Sequence, residues 1–243
     1  MLAKLLSLLL TLLSLGQTAV EAYVNEASLG GNLFLVNRDY AISADYVPND
    51  LVKPNVLGGS ESTMLRAEAA QALEEMFAAA QEEEGYLLVA VSGYRSYGKQ
   101  ASIHRRKIQT VGKKEALRVS APPGCSEHQL GLAMDVGQRG VDDSLVSSFG
   151  TSKGGVWLRE NCWRFGFILR YDRGWEEITG YAYEPWHVRY VGLAHAAAIH
   201  ENPEPLERYL LTVRRDRFMT LLGAGAEETI GMLAVPETST EEE

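Results

Sequence analysis

The segment GCSEHQLGLAMDVG, residues 124–137, carries one imidazole and one carboxylate seven residues apart. His128 and Asp135 are of residue types that bind divalent metal ions. Their spacing is too long for one face of a strand and does not match adjacent turns of a helix. It suits a bend at HQLG, relaxed by Gly131, followed by a strand LAMDV that returns the carboxylate to the imidazole.

A second segment, YEPWHVRYVG, offers Glu184 and His187. On an uninterrupted strand these two residues would face opposite sides, but Pro185 cannot donate to a β-ladder and marks a break. Such a break would turn Glu184 to the side of His187. A hydrolytic zinc site uses three protein ligands and leaves the fourth position to water. His128, Asp135 and His187 make such a set, although spacing alone also allows each to be an ordinary surface, core or turn residue.

The remaining histidines and the two cysteines are weaker candidates. His104 lies among basic residues, and His195 and His200 lie in a helix after the candidate site, so we interpret all three as structural or solvated. Cys125 and Cys162 form an even pair, which permits a disulfide in an exported protein. A disulfide or two free thiols are preferred over metal ligation, because a thiolate would fill the open position that a hydrolytic metal needs.

Residues 1–22 are typical of a signal peptide. Lys4 precedes a leucine-rich run of roughly 11 residues, which is too short to cross ~30 Å of hydrocarbon. Val20 and Ala22 place small side chains where signal peptidase cleaves. The alternative is an uncleaved anchor that tethers the protein to the membrane. Both interpretations predict an extracytoplasmic body.

Residues 23–222 are expected to form one domain. Residues 23–48 suggest a mostly extended segment, Thr63–Gln81 has the apolar spacing of a helix, and YLLVAVSGY and LGLAMDVG suggest strands. Helices and strands mix without regular βαβ alternation, which predicts an α+β fold. Residues 223–243 form an acidic tail that we expect to be disordered. The net charge of −9 and the lack of a basic stripe argue against nucleic-acid binding.

Two motifs carry a family resemblance. SEHQLGLAMD fits the pattern S-x-H-x-x-G-x-A-x-D, and EPWH fits E-x-W-H. Together they resemble the VanY-type D-alanyl-D-alanine carboxypeptidases, in the zinc metallopeptidase group that includes lysostaphin, D-Ala-D-Ala dipeptidases and the hedgehog domain. SGYRSYGKQ and WLRENCWRFGFILRY also follow in family order, and the resemblance covers about residues 32–210. It implies a small central antiparallel sheet flanked by helices.

The resemblance also assigns roles. A zinc ion would be the cofactor, and a serine-type mechanism is not expected. The implied metal ligands are His128, Asp135 and His187. The implied general base is Glu184, Arg95 would face the scissile carbonyl oxygen, and Ser126 and Gln100 would hold the terminal carboxylate of the substrate.

The implied activity is removal of the terminal D-alanine from peptidoglycan stem peptides that end in D-Ala-D-Ala. LD-carboxypeptidase and DD-dipeptidase activities share these motifs and stay as alternatives. A non-catalytic wall-binding module, from a different class, would require loss of Glu184 or of a ligand.

Overall fold

A computed structural model describes residues 26–141 and 145–216. The predicted leader and acidic tail lie outside these residues. The strands are β1 (Leu51–Val52), β2 (Leu65–Arg66), β3 (Leu88–Ser92), β4 (Ala133–Gln138), β5 (Phe167–Leu169) and β6 (His187–Tyr190). The helices are α1 (Ala67–Glu84), α2 (Tyr97–Val111), α3 (Lys113–Val119), α4 (Lys153–Asn161), α5 (Glu176–Thr179), α6 (Leu193–Glu201) and α7 (206–216). Single 3-10 turns occupy Glu61–Thr63, Glu127–Leu130, Ser147–Thr151 and Cys162–Phe165.

The centre of the fold is a four-stranded sheet in the order β3-β4-β6-β5, with every neighbouring pair antiparallel. β1 and β2 form a separate two-stranded ribbon. Helices surround the sheet, so the predicted α+β class with a small antiparallel sheet is confirmed. Within the described residues no helix combines the length and the apolar character needed to cross a membrane.

The two faces of the central sheet differ in chemistry. Met134 and Val136 of β4 and Val188 of β6 lie in the main hydrophobic core. Because side chains alternate along a strand, Asp135 and His187 point to the other face. These two residues are also directly opposite each other in the β4–β6 register. One face therefore builds the core, while the other presents polar groups.

Helix α1 supplies much of the core and begins later than its sequence pattern suggests. Leu73, Met76 and Ala80 are buried at helical spacing. The helix starts at Ala67, and Arg66 at its N-cap makes no side-chain capping bond. The prediction of a start at Thr63 is wrong, because Thr63 ends a 3-10 turn and Leu65–Arg66 pair as strand β2 with β1. The expected end at Gly85 is observed, in the left-handed conformation.

A smaller apolar cluster lies where the last two helices pack beside the sheet. It joins Ile168 of β5 and Val191, just after β6, to Ile199 of α6 and Leu206 of α7. The leading segment does not behave as expected. Its described part, from residue 26, forms turns closed by local backbone bonds rather than an extended strand.

Candidate metal centre

His128 lies in the short 3-10 turn Glu127–Leu130, between α3 and β4. Gly131 ends that turn with a φ of 69°, a left-handed conformation that glycine adopts without steric cost. The ring Nδ1 of His128 lies 2.7 Å from the carbonyl oxygen of Gly93. Since a carbonyl oxygen only accepts, the ring proton belongs on Nδ1. Nε2 is left buried without a hydrogen-bond partner, as a lone pair directed into the site.

Asp135 and His187 complete a cluster of three donor groups. Oδ1 of Asp135 lies 3.4 Å from Nε2 of His128 and 3.2 Å from Nδ1 of His187. One ligand atom from each residue falls within 4.8 Å of the other two, and all three side chains are buried. The structure therefore brings together the three metal ligands predicted from the sequence.

Glu184 reaches the same site through a tight turn. The backbone N–H of His187 donates to the carbonyl oxygen of Glu184 at 3.1 Å, with Pro185 next in the turn. Proline suits this place because its φ is already that of a turn. Oε2 of Glu184 lies 3.8 Å from Nδ1 of His187. The expected break is thus a turn that precedes β6 rather than a bulge within it.

Arg95 lies in the loop after β3 and also lines the cleft. Its backbone N–H donates to the carbonyl oxygen of His128 at 3.1 Å. Its guanidinium lies 3.8 Å from Oδ2 of Asp135, and Nε is buried without a partner. The guanidinium is thus ion-paired with Asp135 through a terminal nitrogen, while its Nε–H has no acceptor within the protein.

Ser126 and Gln100 line the same cleft, which has a volume of about 510 Å³. Both side chains are buried. Nε2 of Gln100 donates to the carbonyl oxygen of Ala121 at 2.6 Å, which leaves one of its two amide hydrogens available. Oε1 of Gln100 has no partner.

Three lining residues were not singled out from the sequence. Ser120 and Tyr181 line the cleft, and each has a buried hydroxyl without a hydrogen-bond partner. Glu127, next to His128, is fully buried and lies 3.4 Å from Nε2 of His187. In the sequence, its place between Ser126 and the predicted ligand His128 is the signal that could have suggested Glu127.

The two histidines differ in proton affinity. Burial, together with the nearby Arg95 guanidinium, lowers the pKa of His128 to about 4. Burial also lowers the pKa of His187, but hydrogen bonds to Asp135 and Glu127 outweigh it and raise the pKa to about 9. At neutral pH the protein groups alone therefore keep His128 neutral and His187 protonated.

The carboxyl groups of Asp135 and Glu184 also differ in pKa. Burial would raise the pKa of Asp135, but His128 and His187 hold it well below its usual range. Burial dominates at Glu184 and raises its pKa to about 7. One carboxylate is thus permanently charged, while the other is poised to exchange protons near neutral pH.

Both cysteines are free and buried. The disulfide that the sequence left open beside two free thiols is not formed. Burial raises the pKa of Cys162 to about 12, so this thiol is an inert core group. Cys125 is not part of the ligand cluster.

The donor set fits zinc. Two imidazoles and one carboxylate are a known ligand combination for a catalytic zinc, with a fourth position for water. The unpartnered Nε2 of His128 is the specific sign, because a buried polar atom without a partner is costly unless something binds it. Together with the fold, this site defines the class of zinc metallopeptidases.

Comparison with known proteins narrows the class. The family model described as VanY, D-alanyl-D-alanine carboxypeptidase, matches residues 62–193. The chain belongs to the VanY family of carboxypeptidases. The Bacillus subtilis (strain 168) protein YodJ is 45% identical over 187 residues, which are 75% of this chain and 68% of YodJ.

Two solved structures show the same fold. The LdcB LD-carboxypeptidase gives a TM-score of 0.68 at 46% identity, over 72% of this chain and 83% of that one. The vancomycin-resistance D,D-pentapeptidase VanY from a VanB-type resistance cassette, in complex with Zn(II), gives 0.63 at 36% identity, over 74% of this chain and 98% of that one. Zinc is thus the cofactor of this family.

Proposed function

We propose that this protein is a zinc-dependent D-alanyl-D-alanine carboxypeptidase that removes the terminal D-alanine from peptidoglycan stem peptides. The proposal depends on one observation: a His–Asp–His cluster, the Glu184 carboxyl group with its raised pKa and the Arg95 guanidinium all line one cleft. In this proposal His128, Asp135 and His187 hold zinc.

The side chains around the proposed metal site have different roles in catalysis. When bound, zinc would supply Lewis acidity for the attack of water on a peptide carbonyl. Glu184 takes the proton of the attacking water and returns it to the leaving amine. A carboxyl group can serve both directions of this transfer, first as general base and then as general acid. Arg95 donates to the carbonyl oxygen as negative charge develops there, because its guanidinium stays protonated.

Recognition of a free carboxylate would restrict cleavage to the end of the peptide. Ser126 offers a hydroxyl and Gln100 offers its second amide hydrogen, and both lie in the cleft that holds the metal ligands. The unpartnered hydroxyls of Ser120 and Tyr181 lie in the same cleft. Together these neutral donors can bind an anion without the cost of burying another cation.

An LD-carboxypeptidase is the second candidate, because LdcB carries that activity in its name and shares 46% identity with this chain. A DD-dipeptidase is the third, since the ligand set is common to the group. A non-catalytic wall-binding module would need a lost ligand or base, whereas Glu184 and all three ligands are present in this chain.

Digestion of synthetic stem peptides tests the proposal. The zinc-loaded protein is incubated with a pentapeptide ending in D-Ala-D-Ala and with the corresponding tetrapeptide, and the products are weighed by mass spectrometry. We expect loss of one alanine from the pentapeptide. Cleavage of the tetrapeptide alone would establish the LD activity, and release of the intact dipeptide would establish the dipeptidase. A Glu184→Ala variant is the matched control and should leave both peptides whole.

The proposed substrate class also indicates where in the cell the protein acts. Peptidoglycan lies outside the cytoplasmic membrane, so a trimming enzyme acts there, secreted or tethered by its N-terminal segment. Fractionation of cells that produce the full chain, with the mature N-terminus sequenced, separates these routes. A mature protein that begins at Tyr23 supports cleavage, whereas an intact leader in the membrane fraction supports the tether.

A further inference from the structure

A second carboxylate, that of Glu127, contacts His187 on the side away from the ligand cluster. His187 has two ring nitrogens with different neighbours: Nδ1 lies 3.2 Å from Asp135, and Nε2 lies 3.4 Å from Oε2 of Glu127. Nδ1 therefore belongs to the ligand cluster, while Nε2 is turned away from it. The side chain of Glu127 has no solvent-exposed surface.

Two arginines hold Glu127 in place. Its other oxygen, Oε1, accepts from Nε of Arg170 at 2.8 Å and from a terminal nitrogen of Arg189 at 2.7 Å. Both guanidiniums have no solvent exposure. Because Oε1 is saturated by two charged donors, the carboxylate cannot rotate, and Oε2 stays directed at His187.

The arginines are themselves anchored to distant segments. Arg170 makes a two-point ion pair with Glu207 of α7, at 3.0 and 2.6 Å. Arg189 donates to the backbone carbonyls of Asn32 and Phe34. The position of Glu127 is thus set by both ends of the described chain.

We propose that Glu127 is a positioning residue that fixes the orientation and tautomer of His187. When zinc is bound, the carboxylate would accept the Nε2–H of the imidazole, which leaves the lone pair of Nδ1 for the metal and increases its basicity. Carboxylates placed behind metal-bound histidines act in this way and typically change metal affinity about 10- to 100-fold. A buried ion network of this kind adds little stability compared with apolar residues of the same size, so stability alone does not explain it.

This inference rests on the zinc site of the proposed function. A first measurement needs no variant: proton-detected NMR of 15N-histidine in the zinc-loaded wild type identifies which ring nitrogen of His187 carries hydrogen. We expect hydrogen on Nε2 and none on Nδ1. A zinc-bound His187 with hydrogen on Nδ1 overturns the proposal.

The second measurement compares two variants that make the same chemical change. Glu127→Gln removes the charge behind His187, while Glu207→Gln removes a charge from the same Arg170 without a contact to His187. Zinc affinity is measured by competition with a chromophoric chelator. We expect Glu127→Gln to weaken zinc binding about 10- to 100-fold and to shift the imidazole N–H resonance, with Glu207→Gln close to wild type.

The outcomes separate the two levels of inference. Failure of the wild type to bind zinc contradicts the proposed function itself. Zinc bound with equal affinity by wild type and Glu127→Gln, with an unshifted N–H resonance, leaves the function intact and shows that Glu127 is only a structural residue. If Glu127→Gln does not fold, the chemical shift of the Nε2–H in the zinc-loaded wild type decides the question: a strongly downfield, hydrogen-bonded resonance supports the contact with Glu127, and a resonance at the position of a free imidazole N–H contradicts it.

Discussion

At the proposed site, zinc binding is expected to depend steeply on pH, because the metal would displace a proton from His187. The pKa of this imidazole is raised to about 9, whereas that of His128 is lowered to about 4 and that of Asp135 lies well below its usual range. At pH 7 only His187 among the three ligands carries a proton that zinc must remove. Two pH units separate pH 7 from its pKa. Zinc should therefore bind about 100-fold less tightly at pH 7 than its limiting affinity, which is roughly 2.7 kcal/mol at 1.36 kcal/mol per unit.

Calorimetric titration of chelator-treated protein, in buffers with different ionisation enthalpies, counts the released protons. We expect about one proton from His187 at pH 7, and up to half of another from Glu184, whose pKa of about 7 falls when a cation binds nearby. The affinity should rise about tenfold per pH unit between pH 7.5 and 8.5. A Glu184→Gln variant isolates the contribution of His187.

The same pKa shift changes the stability of the zinc-free protein in a defined direction. Because the folded pKa of His187 lies above its unfolded value, its contribution to stability is complete below about pH 6.5 and is lost as the pH rises through about 9. Thermal melts should show zinc-free protein losing stability over this range more than zinc-loaded protein. A zinc affinity independent of pH, with no proton released at pH 7, would refute the reasoning.

Three further predictions concern single side chains. Glu184→Gln should lower kcat about 10²- to 10⁴-fold, as for loss of a general base, while zinc stays bound in the chelator assay; a loss of zinc instead would make Glu184 a ligand. Arg95→Met should lower kcat about 10²- to 10³-fold. Arg95→Lys should recover only part of that activity, because a single ammonium does not reproduce the geometry of a guanidinium. An unchanged kcat in Arg95→Met contradicts the role of Arg95 at the carbonyl oxygen. Gly131→Ala places a side chain at a φ of 69° and against Leu51, so it should destabilise the fold by more than the roughly 1–2 kcal/mol of the backbone term in denaturant titrations. Gly85→Ala, at a φ of 73° with open space around it, measures the backbone term alone and is remote from the site; equal zinc affinity in both variants would show that the turn does not position His128.

Local chemistry made much of the site predictable. His128 and Asp135 are joined by one short bend, and glycine at its end supplies the left-handed residue that the bend needs. Pro185 made a break before His187 foreseeable, since proline interrupts a ladder wherever it occurs. The β4–β6 register then pairs Asp135 with His187, so two short segments determine nearly the whole cluster.

Features set by distant contacts were not predictable. Glu127 resembles a solvated acid in the sequence because its partners Arg170 and Arg189 lie 43 and 62 residues away. The start of α1 was misplaced for a similar reason: a two-residue strand at Leu65–Arg66 exists only because β1 pairs with it. Periodicity identifies an apolar face, but it cannot show which short segment will find a partner.

Helix α7 comes late in the chain, and this affects when the metal site can be completed during synthesis. Leu206 and Leu210 cover Ile168 and Val191, which flank the strand that carries His187. A ribosome delivers this helix after every metal ligand has already emerged. A nascent chain therefore contains all its proposed ligands before α7 can pack beside the strand of His187. We expect stable zinc binding only after α7 has packed.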